Sequence, residues 1–125
     1  MTSQIKSIRP FIGAKDFEIS RNFYRDLGFG EVILEPKLSL FSLQGICFYL
    51  QDYYAKDWIE NTMIFMEVAD TDEFWNELQA LNLTEKYKDI QLSPVRTMEW
   101  GKECFVHDPS GVLWHFGEFI NNEQK

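Results

Sequence analysis

The feature that most constrains the fold of this chain is that it echoes itself. Phe11-Ile12-Gly13-Ala14-Lys15-Asp16, followed by Phe23-Tyr24 and Leu27, reads like Phe65-Met66-Glu67-Val68-Ala69-Asp70, followed by Phe74-Trp75 and Leu78. The offset is 54 residues at the aspartate and 51 at the aromatic pair, so the second helix is shorter by three residues, nearly one turn. Farther on, Gly45-Ile46-Cys47-Phe48-Tyr49-Leu50 parallels Gly111-Val112-Leu113-Trp114-His115-Phe116 at an offset of 66. Strand–Asp–helix patterns recur by chance in α+β proteins, but two matches in the same order point to two copies of one supersecondary unit.

The local signals agree with a duplication. Residues 4–14 read as a strand, after which Asp16 caps a helix running to Gly28 with Ser20, Phe23, Tyr24 and Leu27 on one face. Three strands follow at 29–35, 37–43 and 46–51, punctuated by Pro36-Lys37 and Gln44-Gly45. Residues 52–60, with Tyr53, Tyr54 and Trp58, form a connection that has room for a helical turn. A strand at 62–68 then leads to Asp70-Thr71-Asp72-Glu73, a capping-box-like opening for a helix that buries Phe74, Trp75, Leu78 and Leu81. Residues 83–92 read as a looser loop. Strands at 94–99, 102–107 and 112–119 close the chain, the last two joined by the turn Asp108-Pro109-Ser110-Gly111. The sum is α+β: two βαβββ modules, 4–51 and 61–120, joined by 52–60 in a single domain spanning 1–125.

Composition narrows the function. Eleven Phe, four Trp and five Tyr in 125 residues exceed what a minimal core requires, so the rings either enrich the core or line a cavity. Net charge is 12 − 20 = −8, which argues against nucleic acid and an anionic membrane as partners and leaves a cationic ligand favoured. No apolar run approaches a membrane span and the first residues do not read as a leader. Cys47 and Cys104 each sit in an apolar run, as expected for reduced thiols in a cytoplasmic protein, although spacing does not exclude a disulfide. No nucleophile elbow, phosphate-binding loop or dinucleotide fingerprint occurs.

Three segments carry a resemblance: Phe23-Tyr24-Arg25-Asp26-Leu27-Gly28-Phe29; Asn61-Thr62 leading into Phe65-Met66-Glu67-Val68; and Gly101-Lys102-Glu103-Cys104-Phe105 running to Asp108-Pro109-Ser110-Gly111 and His115-Phe116. Together, and over nearly the whole chain, they resemble the vicinal-oxygen-chelate superfamily of glyoxalase I, extradiol dioxygenases, fosfomycin-resistance enzymes and bleomycin-resistance proteins, the last most of all. The resemblance implies sheets that curl into an open, mixed-strand barrel around a cleft, usually completed by a second subunit in a homodimer.

Enzymes of that superfamily hold a divalent metal with one side chain from the first and last strand of each module. Carried over, those positions are Arg9 or Ile8, Tyr49, Met63 and His115. Arg9 is a fixed cation and Met63 a poor thioether donor for such ions, while Tyr49 binds only as a phenolate. One imidazole does not make a metal site, so no cofactor is expected. His107, the only other histidine, is expected to face away from the cleft if its strand is regular. His115 reads either as a partly buried imidazole with a partner or as a cleft residue. Arg9 needs a carboxylate partner, or else water: Glu67 within the chain is one candidate, an anionic group on a ligand the other.

By alternation Arg9, Phe11, Tyr49, Met63, Phe65 and His115 point into the cleft, with Trp100 at its mouth beside Gly101. Phe65 matches an aromatic position of the bleomycin-resistance cleft. These residues suit a flat aromatic ligand. The expected function is a metal-free binding protein that sequesters an aromatic or cationic antibiotic-like compound, with a bleomycin-like molecule as the candidate ligand. The alternative is a lyase- or dioxygenase-like enzyme of the same superfamily with a non-standard site or an unrecognised acid–base pair.

Overall fold

The first module consists of β1 (Phe11–Gly13), α1 (Phe17–Leu27), β2 (Gly30–Glu35), β3 (Leu38–Leu43) and β4 (Ile46–Gln51) in a computed structural model that describes residues 1–120. Residues 121–125 of the expected domain lie outside the described residues. A short helix, α2 (Lys56–Ile59), lies in the connection. The second module consists of β5 (Met63–Glu67), α3 (Thr71–Ala80), α4 (Leu83–Lys86), β6 (Gln91–Thr97), β7 (Gly101–His107) and β8 (Leu113–Phe119). The sheets have the orders β1-β4-β3-β2 and β5-β8-β7-β6, with the first and last strands of each module parallel and the rest antiparallel. The repeat read from sequence is therefore structural. Phe11 faces Tyr49 in the first sheet just as Phe65 faces His115 in the second.

Both helices begin as their caps dictate. Asp16 and Asp70 are extended, and their carboxylates accept the N–H of Ile19 and of Glu73, satisfying donors that a helix start leaves open. Gly28, at φ 117°, ends α1 in a left-handed conformation that a side chain would strain. Ser20, Phe23 and Tyr24 of α1 are fully buried.

One aromatic core joins the modules. Tyr24 packs against Phe48 of β4 (4.9 Å between centroids) and Trp114 of β8 (5.8 Å). The Asp108-Pro109-Ser110-Gly111 turn is fastened to this seam. Asp108 Oδ1 accepts the N–H groups of Ser110, Gly111 and Val112, and Oδ2 accepts the Tyr24 hydroxyl at 2.5 Å. Trp114 Nε1 donates to the same Tyr24 oxygen at 2.9 Å. Ser110 Oγ accepts the Lys15 N–H at 2.8 Å and lies 3.2 Å from Ser20 Oγ. Burial pushes the Asp108 carboxyl up, partly offset by the four donated hydrogen bonds, and pushes the Tyr24 hydroxyl well above its ordinary value.

Three local expectations are corrected. The first strand is only Phe11–Gly13, and residues 4–10 lie outside the sheet. Pro10 has no N–H to give; its carbonyl accepts from Tyr49, and the ladder begins one residue later. The expected 83–92 loop holds α4, entered through Asn82 at φ 53° and anchored by buried Leu83, and β6 starts at Gln91 rather than 94. Pro94 is accommodated there by a register shift between Ser93 and Arg96. In α3 only Leu78 of the expected apolar face is fully buried; Phe74 and Trp75 are half-buried, and Leu81, past the helix end, is 38% exposed. No helix among the described residues is long and apolar enough to cross a membrane.

Candidate functional site

Helices and core cover one face of each sheet, and strand alternation turns the other outward. Across the first sheet the register places Phe11, Tyr49, Leu40 and Val32 in one outward row. Across the second, Phe65, His115, Phe105 and Ser93 form the matching row. Phe11 is 50% exposed and Phe65 45%, whereas Ile12, next to Phe11 on the core face, is fully buried.

On the first sheet Phe11 stacks on Tyr49 at 4.7 Å and 26°. Arg9 Nη1 donates to Tyr49 Oη at 3.2 Å, and its guanidinium carbon lies 5.9 Å from the ring centroid. Arg9, just before β1, thus finds an aromatic hydroxyl on β4 rather than a carboxylate.

The second sheet carries more rings. Phe65 lies 6.0 Å from Trp100, 5.9 Å from Phe119 and 6.4 Å from His115, and Trp100 lies 5.4 Å from Phe119. Two glycines make this grouping fit. A Cβ on Gly101 would come within 1.9 Å of the Glu118 carbonyl oxygen, so the turn bearing Trp100 rests directly on β8 only because residue 101 has no side chain. A Cβ on Gly117 would meet the Phe65 ring and the Lys102 carbonyl at 3.0 Å, so its absence lets Phe65 lie across the sheet. Below these rings, His115 Nδ1 sits 2.8 Å from Oε1 of Glu103, which is only 6% exposed, and the Phe105 ring meets the imidazole edge-on at 4.9 Å.

The seven residues singled out by sequence therefore fall into two clusters. Arg9, Phe11 and Tyr49 are together on the first sheet; Phe65, Trp100 and His115 are together on the second. Met63, 64% exposed, shares the second face but borders a shallower groove of about 410 Å³ with Leu113 and His107. Among the described residues no ring contact or hydrogen bond joins the two clusters. One chain thus presents two separate clusters.

His107 corrects an expectation. The turn between β7 and β8 has five residues, 108–112, and an odd count preserves parity: Phe105 stands opposite His115 and His107 opposite Leu113. His107 is consequently on the same face as His115, and its Nδ1 is buried without a partner among the described residues. The same counting from Gly101 would have identified Glu103 and Phe105, which the sequence reading passed over, and β8 alternation would have added Phe119.

A larger groove of about 800 Å³ lies elsewhere, between Leu27, Leu43 and Ile46 of the first module and Met66, Phe74 and Leu78 of the second. None of the seven residues lines it, and its charged rim is carboxylates alone, Glu67, Asp70, Glu73 and Glu77. The strand faces hold the more varied chemistry: rings, an imidazole, a phenol and a guanidinium.

The metal that the resemblance in sequence implies does not fit this donor set. Its positions offer a guanidinium, a phenol, a thioether and an imidazole, and Glu103 adds one carboxylate at His115. Among the described residues no three His, Cys, Asp or Glu side chains converge as a metal would require. Cys47 and Cys104 are both free thiols.

No protein-family model and no curated protein sequence matches the chain. Solved structures do. The chain is similar to the bleomycin-binding protein of bleomycin-producing Streptomyces verticillus, solved with copper(II)-bleomycin, at 22% identity over 93% of this chain and 97% of that one, with a TM-score of 0.76. It is similar to the bleomycin resistance determinant encoded on transposon Tn5 at 16% identity over 94% and 100%, with a TM-score of 0.77. Lactoylglutathione lyase from Agrobacterium tumefaciens is also similar, at 19% identity over 93% and 96%, with a TM-score of 0.67. At such identities the likeness is one of fold, and it spans nearly the entire chain: two βαβββ modules in the arrangement shared by these glyoxalase and bleomycin-resistance structures.

Proposed function

We propose that this chain is a metal-independent binding protein that sequesters an aromatic, cationic, antibiotic-like compound of the bleomycin kind. The observation that carries this reading is the second-sheet cluster, where Phe65, Trp100 and Phe119 gather beside His115 on an outward face. Stacking a flat ligand there is worth about 0.5–1.5 kcal/mol per ring beyond burial, and the net charge of −8 favours a cation. Similar folds in proteins that bind bleomycin support the ligand class.

The two half-sites complete each other in a homodimer. Phe11 and Tyr49, with Arg9, close over the ligand from one copy, and Phe65, Trp100 and His115, with Met63 at the margin, from the other. Half-exposed rings on both faces supply the apolar area that such closure buries. Function in the cytoplasm agrees with the two unpaired thiols.

Tryptophan fluorescence of the metal-depleted protein, titrated with metal-free bleomycin at low and high salt, tests the reading. Saturable quenching at about one ligand per chain, weaker at high salt, is the expected result. Absence of quenching at tens of micromolar ligand, about tenfold above a micromolar dissociation constant, would exclude bleomycin.

A second reading rests on one observation. An imidazole bonded to a buried carboxylate, as in His115–Glu103, is the arrangement of a general base, which suits a lyase-type enzyme with a non-standard site.

A further inference from the structure

The repeat isolates one position that the fold does not need in its present form. Gly117 stands opposite Glu103 on β7; the 66-residue offset carries Gly117 to Gln51, which stands opposite Leu38 on β3. The first module builds the same sheet with a leucine where the second has a buried carboxylate. Glu103 spends that carboxylate on His115, at 2.8 Å.

The consequence is chemical. A neutral imidazole whose Nδ1 hydrogen is donated to a carboxylate keeps its lone pair on Nε2. The one buried side-chain nitrogen or oxygen without a partner among the described residues is Nδ1 of His107, so Nε2 of His115, which has no partner either, is not fully buried, on a side chain 22% exposed. Phe65 lies nearly parallel to the imidazole at 29°, and Phe105 meets its edge. The charged and titratable groups sharing this outward face are Glu67 on β5, Arg96 on β6, and Glu103 and His107 on β7. An anionic ligand would be placed against Glu103; a donor bearing positive charge would be placed in its field.

We propose that Glu103 and His115 form a recognition dyad for a cationic, hydrogen-bond-donating nitrogen carried on a flat aromatic ring, with His115 Nε2 as the acceptor and Glu103 as the positioning residue. The inference rests on the sequestration reading and specifies which member of the aromatic class the cleft selects.

Three rings of similar shape separate the possibilities: proflavine, a cation with amino donors; acridine, neutral at pH 8; and anthracenecarboxylate, an anion. Fluorescence titration of the wild-type protein should show proflavine bound at least about tenfold more tightly than either of the others, as a charge-assisted hydrogen bond implies. E103L, which installs the first module's residue, should reduce that preference to about twofold. In nitrogen-15 NMR it should also shift the His115 tautomer away from Nδ1–H, and the loss of ring preference alongside it is what a purely structural role for Glu103 would not produce. Equal affinity for all three rings in the wild type, or an undiminished preference in E103L, would overturn the dyad while leaving the aromatic cleft intact. Binding of none of them would contradict the aromatic cleft and the dyad together.

Discussion

Phe11 opposite Tyr49 and Phe65 opposite His115 occupy the same rung of the same ladder, yet the two modules build different surroundings around that rung. In the first, the helix is sunk deeply: Ser20, Phe23 and Tyr24 are fully buried. Its flank is tied down by Glu31, which accepts from Arg21 at 2.6 Å, Ser39 at 2.6 Å and Arg25. Burial would raise the Glu31 carboxyl, but these donors outweigh it and hold it below the usual carboxylate range. In the second, α3 has only Thr71 and Leu78 fully buried, and the outward strand face collects the rings, the imidazole and the buried Glu103. The first module buries its helix more deeply, and the second gathers more rings and an imidazole on its outward face.

Paired truncations in the two helices would break this contrast most visibly. Phe23→Ala should cost about 4 kcal/mol and Phe74→Ala, from a half-buried ring, about 2 kcal/mol, read as urea midpoints. Equal losses would mean that both helices bear the core alike. Next in size is the seam between modules. Asp108→Ala strands three backbone N–H groups and the Tyr24 hydroxyl, so a loss of about 3 kcal/mol is expected, with both modules unfolding in one transition that moves as a unit. Two separate transitions in the wild type would show that the shared core does not couple them.

The smallest effect sharpens the comparison from the alkaline side. Burial raises the Cys104 thiol to about 11 and the Tyr24 and Tyr87 hydroxyls above their ordinary values. Groups with raised folded values contribute stability that is complete below their unfolded values and is lost as pH rises through the folded ones. Stability should therefore begin to fall near the unfolded thiol value, about pH 9, and continue through 11. Cys104→Ala should flatten the earliest part of that decline, leaving the tyrosine part; an unchanged profile in thermal melts from pH 8 to 11 would remove Cys104 from the account.

Much of this architecture was legible because its signals are local. Asp16 and Asp70 cap helices from side chains three residues away, and Gly28 ends one with its own backbone. The repeat then assembled those pieces into two modules. What was not legible depended on partners far along the chain or on a count. The turn at Asp108 was plain, but its docking on Tyr24, 84 residues earlier, was not. His107 was turned to the wrong face because the parity of a five-residue turn was not carried through, and the same lapse hid Glu103. The candidate residues were expected to point together into one cleft, but their division into two clusters follows from how the sheets are set in space, which alternation does not encode.

Complementation between variants tests most directly the claim that these half-sites meet across two copies. Phe11→Ala and Phe65→Ala are each expected to bind metal-free bleomycin at least about tenfold more weakly than the wild type. When the two are mixed and allowed to exchange subunits, random pairing leaves one cleft in about four with both phenylalanines, so about a quarter of the wild-type capacity should return. Weak binding in each variant with no recovery on mixing would contradict a cleft shared between chains.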